Sequence, residues 1–199
     1  MRILFISDYV CPYCLVAKEA LKQACEELDF HPEIIYHAFE LTEEPKPRVD
    51  TYNDENRKNH YKILVEPCKQ LGIDMKLPPN IVPRPYSRLA FEGYYYAKEH
   101  GCGEAYNDLV YRAYFIDEKD IGDMEVLCDL AKRAGLDVEG YKNALEEGVY
   151  SEVEKKAVRE AREIYVIDHV PTIYIDGELA DIQKYTKEEF VEVLKKAQK

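Results

Sequence analysis

The sequence lacks the features that place a protein in a membrane or on a nucleic acid. No apolar run approaches the ~20 residues that a membrane-spanning helix needs. Positive charge is scarce as well, because 27 Lys and Arg stand against 39 Asp and Glu and give a formal net charge of -12. Such an acidic surface argues against nucleic acids and membranes as partners. Met1 leads directly into a predicted strand and leaves no room for a signal peptide, so we expect a cytoplasmic location.

A second cysteine pair is also missing, which bears on metal binding. Structural zinc needs four ligands, usually from two cysteine pairs or from a cysteine pair with a histidine pair, and we interpret none of the five histidines as part of such a pair. Cys25 follows Cys14 by eleven residues on the same predicted helix, roughly 16 Å away at 1.5 Å per residue, which is too far to share a metal. We therefore predict no metal and no organic cofactor. The lone cysteines are interpreted as small buried hydrophobes or inert thiols: Cys25, Cys68, Cys102 and Cys128.

The one close pair is Cys11-Pro12-Tyr13-Cys14. It follows an apolar run at residues 3–6 and precedes a helical pattern, which is typical of a thiol–disulfide redox site. Cys11 then lies at the helix N-cap, where unpaired backbone N–H groups and the positive end of the dipole stabilise a thiolate. Pro12 takes the first helical position, where its missing N–H costs nothing.

The first fifty residues predict a βαβ unit. Residues 2–7 and 33–39 are interpreted as strands and residues 12–28 as the helix between them. Residues 41–56 are polar with two prolines and predict a loop. Helical spacing then predicts six helices, separated in places by glycines and by a proline-rich loop at 77–85: residues 57–71, 86–100, 103–115, 123–134, 137–147 and 150–164.

The pattern changes near the C-terminus. Residues 170–182 predict a hairpin around Asp176-Gly177, and Thr186 caps a last amphipathic helix. The order βαβ, helices, ββα predicts an α/β protein with a thioredoxin fold and a large all-helical insertion. We expect the N-terminal part of the fold at 1–56, the insertion at 57–165 and the C-terminal part at 166–199.

Several stretches together carry a family resemblance. The chain resembles the DsbA-like thioredoxin-fold oxidoreductases, and most closely the FrnE-like branch, which groups with 2-hydroxychromene-2-carboxylate isomerases and kappa-class glutathione transferases. The resemblance spans nearly the whole chain. The matching stretches are Ser-Asp-Tyr-Val-Cys-Pro-Tyr-Cys at 7–14, Val-Pro-Thr-Ile at 170–173, and an insertion signature at 113–115, 120–123, 127 and 134–137.

The resemblance implies a protein disulfide oxidoreductase. Cys11 would be the nucleophile and Cys14 the resolving thiol, with protein or small-molecule thiols and disulfides as partners. It also implies a cis bond between Val170 and Pro171 beside the sulfurs, where the alternative is a trans proline that begins an edge strand. Pro12, Tyr13, Val170 and Pro171 would then bind substrate, whose chain lies across the sulfurs as a strand adds to a sheet edge.

The chain departs from some relatives at the first cysteine. The related isomerases and transferases typically carry Ser where this chain has Cys11, and keeping both thiols favours redox turnover. The motif is also similar to a glutaredoxin site, so glutathione is a candidate co-substrate. Two alternatives remain open: a glutathione-dependent isomerase or transferase of small aromatic substrates, and a non-catalytic protein that uses the disulfide as a switch.

Two residues near the motifs are auxiliary candidates. Asp8 lies three residues before Cys11 and would assist proton transfer to or from Cys14, or else is a solvated or loop-capping carboxylate. His169 precedes Val170 and would favour the thiolate when protonated, or else is a surface histidine.

Overall fold

The computed structural model describes residues 1–165, 167 and 169–198 of the 199-residue chain. The predicted boundary at residue 166 falls outside these residues. The outer elements are β1 (Arg2–Ser7), α1 (Pro12–Glu27), β2 (Glu33–Ala38), β3 (Thr172–Ile175), β4 (Glu178–Leu179) and α9 (Lys187–Ala197). The helices between β2 and β3 are α2 (Glu55–Tyr61), α3 (Val65–Leu71), α4 (Arg88–Glu99), α5 (Gly103–Phe115), α6 (Met124–Arg133), α7 (Val138–Glu146) and α8 (Ser151–Glu163), with a 3-10 turn at Lys62–Leu64.

One mixed sheet organises the fold, with strand order β2-β1-β3-β4. The central strand β1 pairs parallel with β2 and antiparallel with β3. Its register with β3 places Ile6 opposite Thr172, so the residues before β3 lie beside the residues that follow β1. This pairing brings two segments together that are about 160 residues apart in the chain.

Helix α1 buries its apolar face against the sheet and α9. Val16, Ala17 and Ala20 on α1 are fully buried, as Ile3 and Phe5 of β1 are. Helix α9 packs on α1, and its predicted cap is confirmed, because Thr186 Oγ1 accepts a hydrogen bond from the Glu189 N–H at 3.3 Å.

The helix predicted at 57–71 is wrong in two respects. It begins earlier, at Glu55, because Asp54 accepts hydrogen bonds from two N–H groups of the first turn. It is also interrupted by the 3-10 turn at Lys62–Leu64. Pro67 lies in the first turn of α3, where it has no N–H to donate to a preceding carbonyl and so does not continue the earlier helix. Gly72 ends α3 with φ +71°, as predicted.

The remaining predicted helices are present, with ends shorter by one or two residues in most cases. Asp123 caps α6 and Asp137 caps α7, each accepting a backbone N–H in the first turn. Helix α8 packs on β2 and α4, and His37 Nε2 of β2 lies 2.9 Å from the Ala157 carbonyl oxygen of α8. These contacts join the helical layer to the sheet.

The predicted C-terminal hairpin is also present. Asp176 and Gly177 connect β3 to β4 with φ of +49° and +91°, a pair of left-handed residues that fits the right-handed twist of a hairpin. The second strand is only two residues long. Throughout the part of the chain that the structure describes, no helix combines the length and apolar character needed to cross a bilayer.

Candidate active site

Cys11 is the last residue of the connection between β1 and α1. It is the N-cap residue of α1, with extended backbone angles, and Pro12 is the first helical residue. Among the residues that the structure describes, no side chain caps this end, and the first turn of the helix holds no acidic residue. The positive end of the helix dipole therefore acts on the Cys11 sulfur with no acidic side chain in the first turn to oppose it. This placement agrees with the one derived from the motif.

The second wall of the site comes from the segment before β3. The Cys11 thiol donates a hydrogen bond to the Val170 carbonyl oxygen, with a sulfur–oxygen distance of 3.4 Å. The peptide bond between Val170 and Pro171 is cis, and both residues are buried. Two of the substrate-binding candidates thus lie against the first sulfur.

Cys14 occupies a more enclosed position than Cys11. Its exposed fraction is 0%, against 5% for Cys11, and both cysteines are free thiols. Burial raises the pKa of the Cys14 thiol well above its ordinary value, and the hydrogen bond and negative charge of Cys11 raise it further. Cys14 therefore keeps its proton near neutral pH until it reacts.

Asp8 is fully buried next to this pair, so the interpretation of a solvated carboxylate is wrong. Its Oδ1 accepts from the Val10 N–H at 3.2 Å and its Oδ2 from the Leu41 N–H at 2.7 Å, which ties together the loops after β1 and β2. Burial raises the pKa of Asp8, although these bonds and the charge of Arg84 oppose the rise. The carboxyl group acts electrostatically on Cys14, so it caps loops and also lies near the second thiol.

Tyr13 and two aromatic residues that the sequence did not single out form the rim. The half-buried Tyr13 ring lies 6.1 Å from the His60 ring and 6.3 Å from the Tyr185 ring. Burial raises the pKa of Tyr185 to about 12, and the charges of Cys14 and Cys11 contribute. Tyr185 precedes the capping residue of α9, and nothing in the local pattern marked it as a neighbour of the motif.

A cavity of about 410 Å³ lies beside the proline of the cis bond. Pro171, Tyr185 and the exposed His169 line it, together with strand residues that include Tyr174. The His169 carbonyl oxygen accepts a hydrogen bond from the Thr172 hydroxyl at 2.8 Å. The cavity meets the active site at Pro171 and Tyr185, and it offers both apolar and polar walls to a substrate.

The helical layer reaches the thiols through buried tyrosines. The Tyr9 ring packs against Phe91 of α4 at 4.4 Å and against Tyr111 of α5 at 4.9 Å. Both tyrosines are about 1% exposed. After burial, the charge of Cys14 is the largest cause that raises the pKa of Tyr111. Aromatic packing therefore fixes the position of the site against α4 and α5.

A cysteine pair of this spacing can also contribute ligands to a metal site. In the described part of the chain, no group of three or more His, Cys, Asp or Glu residues is placed to hold a metal ion.

Known proteins match the chain over nearly its whole length. The model of the family called DSBA-like thioredoxin domain matches residues 2–193. An uncharacterized protein of Bacillus subtilis, YwbO, is 38% identical over 176 residues, which cover 88% of this chain and 86% of that protein. The crystal structure of a probable DsbA oxidoreductase from Streptomyces coelicolor is 26% identical, with a TM-score of 0.77 over 100% of this chain and 90% of its own.

Two other solved structures, at lower identity, share the fold alone. The cytosolic disulfide reductase DsbM from Pseudomonas aeruginosa has a TM-score of 0.73 at 15% identity, over 100% of this chain and 98% of its own. A 2-hydroxychromene-2-carboxylate isomerase has a TM-score of 0.72 at 18% identity, over 100% and 94%. The predicted α/β thioredoxin fold and the predicted resemblance are confirmed by these matches.

Proposed function

The chain belongs to the DsbA-like thioredoxin domain family, and we propose that it is a thiol–disulfide oxidoreductase that works by dithiol–disulfide exchange through Cys11 and Cys14. The observation that carries the proposal is the position of Cys11. Its sulfur lies at the start of α1 and 3.4 Å from the Val170 carbonyl oxygen, with the second thiol buried behind it.

The exchange proceeds in two displacements. The Cys11 thiolate attacks one sulfur of a substrate disulfide, which forms a mixed disulfide and releases the other substrate sulfur as a thiolate. Cys14 then loses its proton and attacks Cys11 Sγ, so the bond to the remaining substrate sulfur breaks and that sulfur leaves with the electron pair. The substrate disulfide is reduced and the Cys11–Cys14 pair is oxidised. The same steps in reverse oxidise a dithiol substrate.

Substrate binding follows from the two walls of the site. A substrate chain lies across Cys11 and pairs with the Val170 backbone, as a strand adds to a sheet edge. Pro12, Tyr13 and Pro171 shape the contact, and the cavity beside Pro171 receives a neighbouring side chain. Asp8 accepts the proton that Cys14 releases, since it is the buried carboxylate that acts on that thiol.

Protein and small-molecule disulfides are the proposed substrates, with glutathione as a co-substrate. Support for glutathione comes from DsbM, which has also been solved with this tripeptide. DsbM is described as cytosolic, and we propose a cytoplasmic location here, where reducing conditions keep lone thiols free.

Turnover assays test the proposal. The protein should reduce insulin disulfides with glutathione as the electron donor, and Cys11→Ser should abolish this activity. Cys14→Ser should lose most of it, whereas Cys128→Ser, which changes a thiol outside the site, should keep it. Equal residual insulin reduction in the Cys11 and Cys14 variants would rule out the roles of nucleophile and resolving thiol. Conversion of a small aromatic substrate without insulin reduction would instead favour the isomerase, and a conformational change without any turnover would favour a redox switch.

A further inference from the structure

Four acidic side chains are buried together behind Cys14. Asp8 follows β1, Glu40 follows β2, Glu92 lies on α4 and Glu154 lies on α8. Their exposed fractions are 0%, 4%, 2% and 0%. Charged side chains are seldom buried to this extent without partners, so each needs a compensating charge, a hydrogen-bond donor or a proton.

Nearby positive charges do not compensate all four acids. Arg88 Nε lies 3.3 Å from Glu92 Oε1, and the charge of Arg84 acts on Asp8. Arg162 donates to the backbone carbonyl of Glu40 rather than to its carboxyl group. Over the described portion of the chain, the carboxyl groups of Glu40 and Glu154 form no ion pair, although the charge of Arg88 acts on both.

Glu40 and Glu154 instead lie within hydrogen-bonding reach of each other. In the described residues, no donor contacts Glu40 Oε2 or either carboxyl oxygen of Glu154. Two ionised carboxylates cannot form a hydrogen bond with each other, because both are acceptors only. The hydrogen bond between Glu40 and Glu154 therefore requires a proton on one of them. Burial and the mutual repulsion of their charges raise the pKa of both groups, which is consistent with a retained proton.

Charged and titratable groups face this pair from each element packed around it. They are Asp8 after β1, Glu43 after β2, Arg88, Glu92 and Tyr95 of α4, and Lys155, Arg159 and Arg162 of α8. Close to the two carboxyl groups, negative charge exceeds the positive charge that is available to them. Arg162 forms an ion pair with Glu43 at 2.8 Å, and Arg88 is shared between Glu92 and Glu44. The balance of charge therefore favours a protonated pair.

The pair is connected to the active site through the backbone. The Leu41 N–H donates to Asp8 Oδ2 at 2.7 Å, and Glu40 is the preceding residue. The charge of Asp8 acts on Glu40 on one side and on Cys14 on the other. The buried acids are thus coupled electrostatically from the second thiol to α8.

On its other side the pair reaches solvent. Glu40 lines a cavity of about 330 Å³ together with Lys155, Arg159 and Arg162. Arg159 is exposed at this cavity, so water enters it and can exchange protons with the Glu40 carboxyl group.

We propose that Glu40 and Glu154 share one proton and, through Asp8, take up and return the proton of Cys14 during disulfide exchange. This rests on the proposed function. When Cys14 attacks the mixed disulfide, its electron pair forms the bond to Cys11 Sγ and its proton moves to the Asp8 carboxylate. The proton passes on to the singly protonated pair, which becomes neutral and holds this proton in the disulfide form, while the cavity beside Glu40 connects the pair to solvent. Reduction of the Cys11–Cys14 disulfide reverses the path. Glu40 and Glu154 act through Asp8, so they are positioning residues.

Infrared difference spectra between the dithiol and disulfide forms test this directly. Oxidation should change a carboxylic-acid C=O band in the wild-type protein. Glu154→Gln should remove that change, and Glu152→Gln, an exposed neighbour on the same helix, should keep it. Glu40→Gln serves as a second variant if Glu154→Gln does not fold. A wild-type spectrum without a carboxyl change, or a change that survives in the Glu154 or Glu40 variant, would overturn the proposal.

The pH dependence of the resolving step gives a second readout. At about pH 6, loss of the proton acceptor should slow closure of the Cys11–Cys14 disulfide about tenfold in Glu154→Gln, and the difference should vanish at high pH, where hydroxide removes the proton. A uniform slowing at every pH would indicate a structural role and contradict the relay. Turnover that is normal and identical in the Glu154 and Glu152 variants would refute the relay alone, whereas absent exchange in the wild type would refute the proposed function.

Discussion

Replacing Glu154 by glutamine should change how the stability of the protein depends on pH. The folded state holds a proton on the Glu40–Glu154 pair, whereas both side chains ionise in the unfolded chain above the ordinary glutamate pKa of 4.5. The folded state therefore binds more protons, and the free energy of unfolding falls as the pH rises above that value. The stabilisation that the shared proton gives to the folded state is present in full below the pKa of the unfolded chain. It is lost as the pH rises toward the raised pKa of the pair in the folded state.

The size of the effect follows from the proton count. One extra bound proton gives a slope of about 1.4 kcal/mol per pH unit, or about 2.7 kcal/mol between pH 5.5 and 7.5. In Glu154→Gln, the side-chain amide donates to the Glu40 carboxylate and the shared proton is no longer needed. The difference in unfolding free energy between wild type and variant should therefore change by about this amount across the range.

Urea unfolding at several pH values measures this difference. The Glu154→Gln curve of stability against pH should be flatter than that of the wild type, and Glu152→Gln should run parallel to the wild type because its carboxyl group is exposed. Parallel curves for all three proteins would show that the pair holds no extra proton and would refute the reasoning, whatever their absolute stabilities.

Two further predictions concern packing and capping. Gly93→Ala should destabilise the protein by about 1–3 kcal/mol in urea unfolding, because a methyl group there overlaps the hydroxyl groups of Tyr106 and Tyr141; unchanged stability would contradict this packing. Thr186→Ala should cost about 1 kcal/mol by removing the cap of α9, whereas Thr186→Ser should restore most of it.

Local chemistry made much of the fold predictable. Asp123, Asp137 and Thr186 each accept an N–H from the turn that follows them, and this depends on a few neighbouring residues only. The Asp176-Gly177 turn is local in the same sense. The break before α3 was not predicted, because the apolar spacing continues through it and Pro67 interrupts only the hydrogen bonds.

The part of the site that the Cys-Pro-Tyr-Cys motif determines could be predicted from the sequence. The part that comes from segments brought together by the sheet could not. Cys11 at the start of α1 follows from four consecutive residues. The positions of Tyr185 and Glu40 depend on pairing between distant segments, which no local pattern shows. The burial of Glu154 is indicated by its position in the sequence, because it shares a helical face with the apolar residues Ala157, Val158 and Ala161, all of which are buried. An acid on an apolar face was the available sign of a buried carboxyl group.

Mapping the covalent adduct on Cys14→Ser tests the central claim most directly. After reaction with a disulfide substrate, this variant should accumulate one mixed disulfide per chain, and peptide mass spectrometry should locate it on Cys11. An adduct on another cysteine, or equal labelling in Cys11→Ser, would contradict the assignment of Cys11 as the attacking sulfur.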